Sequence, residues 1–566
     1  IEEDPGLDPA TLDLTIEDLG ITAADLADGR CGFAGADFTG ARLTGARFAS
    51  VDLDAAVLVR ADLSRTTFQA CVMTGCELRE SSLRGATIAA TDLRSSALAG
   101  ASFRATTLTD VDLSLATLPP DLPGCSFTRC KLPAIDFTGG DLVDLRLEST
   151  EVPRTDFVRA DLRGATFQGV DLAGCSFRQA KLDGAQVLGC GLADVDLSTS
   201  RLEGAWFEDS RLPGANLKVA NLAGARFLGC DLEKADLAGT TLEETEFVES
   251  NLDRAVLQRT SPTGNVFRDC SMEEVDLSGA DLSDVDFSGT RLSRARLVGC
   301  DLTDALLSGA DLSGADLTRA TLVDTVALEA EFSGALLCEA RLDSVLMGGS
   351  QAANLDLRGA HLVQTDLDLL DLRGSRIGQT RFNLCSLKGC VFAGMDLTGC
   401  DLTDSDLAGA DLEGTVLRGA NLFQVNLVGA NLRGADLCDA SCRTVDFTGS
   451  DLSGAVFRRA DLSSARFEQV TARGADFRAT KLDRAAFNHA ECSEAAFQSA
   501  RMPYADLSHA RLENADFSGA ELKQANLHRI VEEKTRWDSA GMKRVRRTDK
   551  QLARAEDWQP PPAPAP

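Results

Sequence analysis

The stretch Gly309–Leu322, GADLSGADLTRATL, places a leucine at every fifth position. A small residue, most often Ala, lies two positions before each leucine, Asp or Asn often lies between them, and Gly often follows two positions after. A period of five fits neither an α-helix, which repeats every 3.6 residues, nor a β-strand, which repeats every two. The pattern predicts a chain that turns a corner every five residues and points its small residue and its leucine inward.

The repeat extends over most of the 566 residues. With Leu or Phe taken as the centre of each unit, centres recur from Phe33 to Leu118, slip by one residue at Pro119-Pro120, and resume from Leu122 to Leu527. Together they make about 100 units. The frame continues through four poor centres, Pro262, Ala327, Ala352 and Ala472.

The pattern A-(D/N)-L-x-x resembles that of the pentapeptide-repeat family over about residues 31–527. The resemblance implies an all-β fold, a right-handed quadrilateral β-helix with four pentapeptides per coil. About 100 units would then form about 25 coils, and a β spacing of about 4.8 Å gives a length of about 120 Å. Most Phe centres after the slip fall on two opposite sides, which predicts ladders of stacked rings such as Phe207, Phe227, Phe247, Phe267 and Phe287.

The sequence predicts six segments. They are an N-terminal cap or junction at 1–30, the first repeat register at 31–118, a register slip at 119–121, the second register at 122–527, a partly helical C-terminal cap at 528–558 and a Pro-rich tail at 559–566. The slip is expected to kink the solenoid or to form a loop. A short capping helix is expected within the basic stretch 543–554. The start without Met indicates that a further domain precedes residue 1.

Cysteine and histidine are placed as structural residues. Thirteen of the 17 Cys occupy the inward position that Ala usually fills, which is typical of small buried hydrophobes, and the other four show no recurrent ligand spacing. So many free thiols favour a reducing compartment. The four His residues lie at outward positions, and none is spaced to form a zinc site with Cys: His361, His489, His509 and His528.

Nothing in the sequence indicates an enzyme. Phosphate-binding glycine loops, nucleophile elbows and zinc-protease helices are absent from it. About 82 consecutive units contain no insertion, so no loop is available to gather distant groups into a pocket. We therefore expect no catalytic, cofactor-binding or metal residues and no cofactor.

The net charge of −30 raises one alternative. Some pentapeptide-repeat proteins mimic DNA and inhibit type II topoisomerases, and the resemblance extends to that role. Without the acidic first 30 residues and the basic last 39, the repeats hold a net charge of about −25, or one per about 5 Å of expected length. Duplex DNA carries one charge per about 1.7 Å, so the repeats are about three times too dilute to mimic it well. An acidic topoisomerase inhibitor or protector stays as the alternative function.

Apolar residues at outward positions identify a candidate surface. The residue before each centre is usually polar, but on one side it is apolar at positions that differ by multiples of 20: Trp206, Val266, Leu306, Val326 and Leu346. Leu328, one after a centre, flanks Val326 on the same side. We expect these six residues to bind a partner, because aligned exposed apolar residues rimmed by polar groups are typical of interaction surfaces.

The flanking segments carry a second resemblance. LTIEDLGITAADLADGR at 14–30 and RRTDKQLARAEDW at 546–558 are similar to parts of large proteins encoded with type VI secretion systems. Those proteins look like adaptors that load toxic effectors onto a secreted spike. The resemblance implies a scaffold, adaptor or chaperone in a bacterial cytoplasm that binds an effector or spike protein. We expect neither nucleic acid nor a membrane as a partner, and no stretch approaches the roughly 18 to 20 consecutive apolar residues that a membrane span requires. The partner's identity and the oligomeric state are left open.

Overall fold

The computed structural model describes residues 32–558. It consists of two compact units, Ile1–Asp276 and Leu277–Pro566, whose described parts are 32–276 and 277–558. Within each unit the chain winds as an all-β, right-handed solenoid in which every pairing between coils is parallel. Residues 20 apart pair, as Gly32 does with Asp52 in the first unit and Leu306 with Val326 in the second. The predicted fold class is confirmed.

The corner that follows each side explains the period of five. In one unit of the repeat, Ala305 and Leu307 point inward and are fully buried. Gly309 then adopts φ +66°, and the amide of Ala310 donates to the carbonyl oxygen of Leu307 at 3.0 Å. This left-handed residue turns the chain toward the next side. Glycine suits it best because an L side chain costs about 1 to 2 kcal/mol there, although many corners carry one, such as Asp304 at φ +58°.

Regular strands occur where pairing extends over three residues. In the described chain β1–β12 form one parallel sheet in the first unit and β13–β16 form another in the second. In chain order they are Arg47–Ala49, Thr67–Gln69, Thr87–Ala89, Thr107–Thr109, Ser126–Thr128, Arg146–Glu148, Thr166–Gln168, Gln186–Leu188, Trp206–Glu208, Arg226–Leu228, Glu246–Val248, Val266–Arg268, Thr321–Val323, Arg341–Asp343, His361–Val363 and Arg381–Asn383.

Fewer coils carry a regular strand than the about 25 coils that the sequence predicts. Within residues 32–558 sixteen coils carry a three-residue strand, one strand each, and the one helix lies beyond the last coil. The other pairings between coils are single-residue bridges, such as that of Asp401 with Asn421. Most sides of the described solenoid thus pair through a single residue.

Stacked phenylalanines fill much of the core. Phe207, Phe227, Phe247 and Phe267 stack through successive coils of the first unit, with ring centroids 4.6, 4.8 and 5.1 Å apart. In the second unit two stacks on opposite sides meet edge to face, as Phe467 and Phe477 do at 5.8 Å and 88°. The predicted ladder is confirmed from Phe207 to Phe267, and Phe287 is buried in the second unit.

The register slip is absorbed by one shorter coil. Across it, Leu108 pairs with Phe127 rather than with a residue 20 positions on, so the sheet continues from β4 to β5. Pro119 is buried while Leu118, the expected centre, is only half-buried. The carbonyl oxygen of Pro120 lies where a Cβ on Gly140 would be, which explains why this inward position lacks its usual Ala. The chain thus passes the slip in a 19-residue coil.

The C-terminal end continues one coil beyond Leu527. Parallel bridges join Glu521 to Gly541 and Asn526 to Arg546, so the cap predicted from residue 528 begins only after this coil. Helix α1 follows, Lys550–Glu556, somewhat later than the predicted helical stretch. Within residues 32–558 no helix has the length and apolar content to cross a bilayer. The predicted N-terminal segment 1–30 and tail 559–566 lie outside the described residues.

Candidate interaction surface

One side of the second unit carries a column of exposed apolar residues. Leu306 bridges to Val326 and Val326 bridges to Leu346, so the three lie one above another on successive coils. Leu306 is 41% exposed and Leu346 43%, and Val326 is half-buried between them. The centres behind them, Leu307 and Met347, are buried, so the outward residues stand on a rigid core.

Leu328 widens this column. It is 41% exposed, and its Cδ2 atom lies 3.5 Å from where a Cβ on Gly348 would be. The side chain therefore leans over the next coil, where glycine leaves room for it. We call Leu306, Val326, Leu328 and Leu346 the apolar patch.

The two predicted residues of the first unit lie in a different setting. Trp206 is 40% exposed and its Nε1 donates to Glu208 at 3.2 Å, whereas Val266 is half-buried. Between them on the same sheet, Arg226 and Glu246 form an ion pair at 3.2 Å. Trp206 and Val266 are thus separated by charged side chains and form no continuous patch within this unit.

Two exposed leucines escaped the sequence prediction. Leu369 is 79% exposed and Leu384 53%, and both occupy corners with φ of +64° and +57°. The pairings of Leu346 with Asp366 and of Asp366 with Ser386 place both corners at the edges of the side that carries the apolar patch. The available signal was a Leu two positions after a centre, where Gly or a polar residue usually stands. We call Leu369 and Leu384 the corner leucines.

The same side is acidic over four of its rungs, and Lys388 lies on the next rung, which begins at Leu384. The four successive rungs, 304–309, 324–329, 344–349 and 364–369, contain five carboxylates and neither Lys nor Arg: Asp304, Asp324, Glu329, Asp366 and Asp368. In the described structure no Lys or Arg nitrogen lies within ion-pair distance of Asp304, Asp324 or Glu329. Elsewhere carboxylates are commonly paired, as Asp476 is with Arg458 and Arg478, both at 2.6 Å.

The opposite side of the second unit provides a contrast. Leu336 is 39% exposed there, but it bridges to Asp356, which is buried. Arg358 donates to both carboxylate oxygens of Asp356, at 2.8 and 2.7 Å, and lowers the pKa of Asp356 to about 2. A single leucine beside a tightly held ion pair makes no apolar patch.

A histidine cluster near the C-terminus brings together three side chains of the types that bind metals: His509, His528 and Glu556. Nε2 of His509 and Nε2 of His528 lie 3.5 and 3.2 Å from the carboxylate of Glu556. Nδ1 of His528, however, accepts a hydrogen bond from the backbone N–H of Asp549 at 3.1 Å. Its Nε2 must then carry the proton and donate it to Glu556, which leaves no lone pair for a metal. This arrangement holds helix α1 against the last coil and does not suit a metal ion.

A charged depression of about 670 Å³ adjoins the short coil. Its charged lining consists of Arg104, Arg159, Arg163, Lys181, Asp121, Asp141, Asp144 and Asp161. Arg163 and Lys181 both contact Asp161, at 2.7 and 3.4 Å. Because bases and acids are balanced, the depression favours no ligand of one charge.

Three of the described cysteines have thiols whose pKa is raised, which lowers their reactivity. Burial raises the pKa of Cys76 and of Cys125 to about 12, and the smaller desolvation of half-buried Cys438 still raises its pKa to about 11. Cys76 donates to the backbone oxygen of Leu53 at 3.0 Å, as Ser and Thr do at other inward positions. Cys76 and Cys125 serve the core, as the sequence predicted, and none of these three thiols is poised as a nucleophile.

Comparison with known proteins identifies the class and then the family. The fold is that of a parallel β-solenoid with four short sides per coil. The family described as "Pentapeptide repeats (8 copies)" matches residues 31–96, 141–190, 200–261, 286–343 and 349–529. The chain belongs to this family.

Several solved structures are similar to the chain. QnrB1, a plasmid-mediated fluoroquinolone resistance protein, is 21% identical over 31% of this chain and 92% of its own, with a TM-score of 0.29. HetL from the cyanobacterium Nostoc sp. strain PCC 7120, involved in heterocyst differentiation regulation, is 25% identical over 50% of this chain and 88% of its own, with a TM-score of 0.12. A thylakoid-lumen pentapeptide repeat protein from Arabidopsis thaliana is 30% identical over 16% and 66%, with a TM-score of 0.11. No curated protein matches the sequence.

Proposed function

We propose that the protein is a non-enzymatic scaffold that binds another protein through the apolar patch of its second unit. The observation that carries the proposal is the column of Leu306, Val326 and Leu346 on successive coils. Three such residues plus Leu328 form a contiguous apolar surface, and exposed apolar patches rimmed by polar groups mark sites of protein interaction. The rigid core behind them lowers the entropic cost of binding.

The narrower proposal is an adaptor that loads a toxic effector or a spike component for type VI secretion in a bacterial cytoplasm. It rests on the flanking segments at 14–30 and 546–558 alone. A captured partner that is a secreted toxin or a spike protein would support this role. A captured partner of another class would support the scaffold role and exclude the adaptor role.

The acidic topoisomerase inhibitor is the weaker alternative. Many carboxylates of the described surface are neutralised by neighbouring bases, as Asp436 is by Arg418 at 2.6 Å and Asp439 by Arg459 at 2.6 Å. Such pairing interrupts the continuous negative charge that a DNA mimic needs. Inhibition of DNA supercoiling by the purified protein would favour the alternative over the scaffold.

The test is capture of partners by the full chain from its source organism, read by mass spectrometry. The bait carries the native sequence or Leu306→Asp, Val326→Asp and Leu346→Asp together. We expect a partner bound by the native chain and lost from the triple variant. Leu346→Ser and Leu336→Ser form a matched pair, because the two leucines are similarly exposed on opposite sides. Only Leu346→Ser should weaken capture, and a partner retained by the triple variant would exclude the patch.

A further inference from the structure

We infer that the partner presents a cationic amphipathic α-helix of three to four turns, which lies along the solenoid axis on the side formed by the apolar patch and the corner leucines. This inference rests on the proposed function and goes further, because it names the chemistry and the secondary structure of the docked segment. It combines three observations on that side: the extent of its apolar residues, the state of its backbone groups and the sign of its charges.

The apolar residues define the length of the docked segment. From the rung of Leu306 to the corner of Leu384 the side spans four coil steps. At about 4.8 Å per step the apolar length is about 19 Å, which an α-helix covers with about 13 residues at about 1.5 Å each. Side chains on one helix face recur at a pitch of about 5.4 Å, close enough to the coil spacing for successive turns to contact successive rungs.

The backbone of this side excludes an added strand. The amide of Leu306 donates to Val285 at 2.9 Å, and the carbonyl oxygen of Val326 accepts from Leu307 at 2.7 Å. The same coil-to-coil hydrogen bonds continue through Leu346 and Met347, at 3.0 Å each. A peptide that adds to a sheet needs free backbone groups at an edge, and these lie in the interior of the ladder. The occupant must therefore bind by side chains, as a helix does when it lays its apolar stripe on a surface.

The charges on this side of the solenoid predict which residues flank the apolar stripe of the docked helix. Asp304 and Asp324 occupy the corners along one edge of the apolar column, and Glu329 occupies a corner on the other edge. With Asp366 and Asp368 they surround leucines on four rungs that carry neither Lys nor Arg, and the fifth rung, that of Leu384, carries one base, Lys388. A docked helix with acidic flanks would be repelled, whereas Lys or Arg beside its apolar stripe would meet carboxylates on both edges.

The experiment measures binding of three fluorescent 14-residue peptides to the full chain by anisotropy, at two salt concentrations. One peptide has a Leu stripe flanked by Lys, the second has Glu in place of Lys, and the third keeps Lys but has Ser in place of Leu. We expect the Leu–Lys peptide to bind at least about tenfold more tightly than either of the others, and less tightly at high salt.

Two charge-reversed variants make the test specific. Asp304→Lys, Asp324→Lys and Glu329→Lys together should reverse the preference toward the Leu–Glu peptide. Lysine is compatible with such corners, since Lys234 occupies one at φ +58°. The control is Glu339→Lys, Asp439→Lys and Glu494→Lys, which makes the same change in net charge at corners bordering the opposite side and should keep the preference for Leu–Lys.

The outcomes separate this inference from the proposed function. The inference would be overturned if the Ser–Lys peptide binds as tightly as the Leu–Lys peptide, or if both charge-reversed variants change the peptide preference equally. Either result would show that the peptides are attracted to the acidic chain as a whole. The inference would also be overturned if the partner captured from the source organism is lost from the Leu306, Val326 and Leu346 variant but still binds the variant with Lys at 304, 324 and 329. In that case the patch binds a partner, but that partner does not present a cationic helix.

Discussion

Leu328 covers Gly348, and the neighbouring glycine, Gly349, is constrained in a different way. A Cβ on Gly348 would meet Cδ2 of Leu328 at 3.5 Å, an ordinary contact. A Cβ on Gly349 would lie 3.3 Å from Cγ of Glu329, and the residue has φ +74°. Two adjacent glycines thus differ: position 348 could hold a Cβ in contact with a surface leucine, whereas position 349 turns a corner in the left-handed region.

Gly348→Ala and Gly349→Ala should therefore differ in stability. We expect Gly348→Ala to change the free energy of unfolding by less than about 0.5 kcal/mol and Gly349→Ala to lower it by about 1 kcal/mol, because only the second places an L side chain in the left-handed region. Urea unfolding followed by circular dichroism measures both. Equal losses in the two variants would contradict the assignment of the corner.

Gly140→Ala should be among the most costly glycine substitutions. The new Cβ would collide with the carbonyl oxygen of Pro120, a backbone atom that cannot move without distorting the short coil. We expect a loss of about 2 kcal/mol or more in the free energy of unfolding, from overpacking of a buried site. Gly378→Ala is the control, since only Cγ of Arg358 approaches its Cβ position, at 3.9 Å. A neutral Gly140→Ala would show that the coil relaxes around the slip.

Asp356 should make the second unit sensitive to acid. Its pKa is lowered to about 2 by Arg358, so its ionised form stabilises the folded state above the unfolded pKa of about 4. That contribution is lost as the pH falls from about 4 through about 2. Because the side chain of Arg358 is 56% exposed, solvent screening limits the contribution to about 1 to 2 kcal/mol.

Asp356→Asn tests this contribution through urea midpoints at pH 7, 4 and 2.5. The variant should be less stable than the native chain at pH 7, and the difference should shrink at pH 2.5. Asp371→Asn is the matched control, since Arg373 pairs with Asp371 at 2.6 Å but that carboxylate is 47% exposed. A loss that is independent of pH would indicate that packing, and not the ionised carboxylate, holds this site.

Cysteine alkylation should distinguish two thiols from the rest of the described chain. Among residues 32–558, Cys338 and Cys438 are half-buried and the other cysteines are buried. In the native protein iodoacetamide should modify these two first. At pH 8 Cys438 should react about a hundredfold more slowly than a free thiol, because its pKa of about 11 leaves little thiolate. Peptide mapping with and without urea measures the order, and rapid native labelling of Cys76 would contradict its burial.

The repeat itself could be predicted from the sequence because every unit obeys the same local constraint. Ala305 and Leu307 show the reason: two inward positions and a corner at Gly309 are set within five residues, and stacking the same unit buries the same pair. The slip at Pro119-Pro120 and the alignment of Leu306, Val326 and Leu346 follow from counting along this frame. No long-range choice is needed, since each coil packs only on its neighbours.

The tertiary structure decided what counting could not. Leu369 and Leu384 belong to the candidate surface because left-handed corners turn their side chains to the edges of that side. The tautomer of His528 is fixed by a backbone amide of Asp549, 21 residues away, after the chain has closed its last coil. Period and composition assign residues to the inside or the outside. Which outward side chains meet depends on corner geometry and on where the chain leaves the repeat, and those are properties of the folded coil.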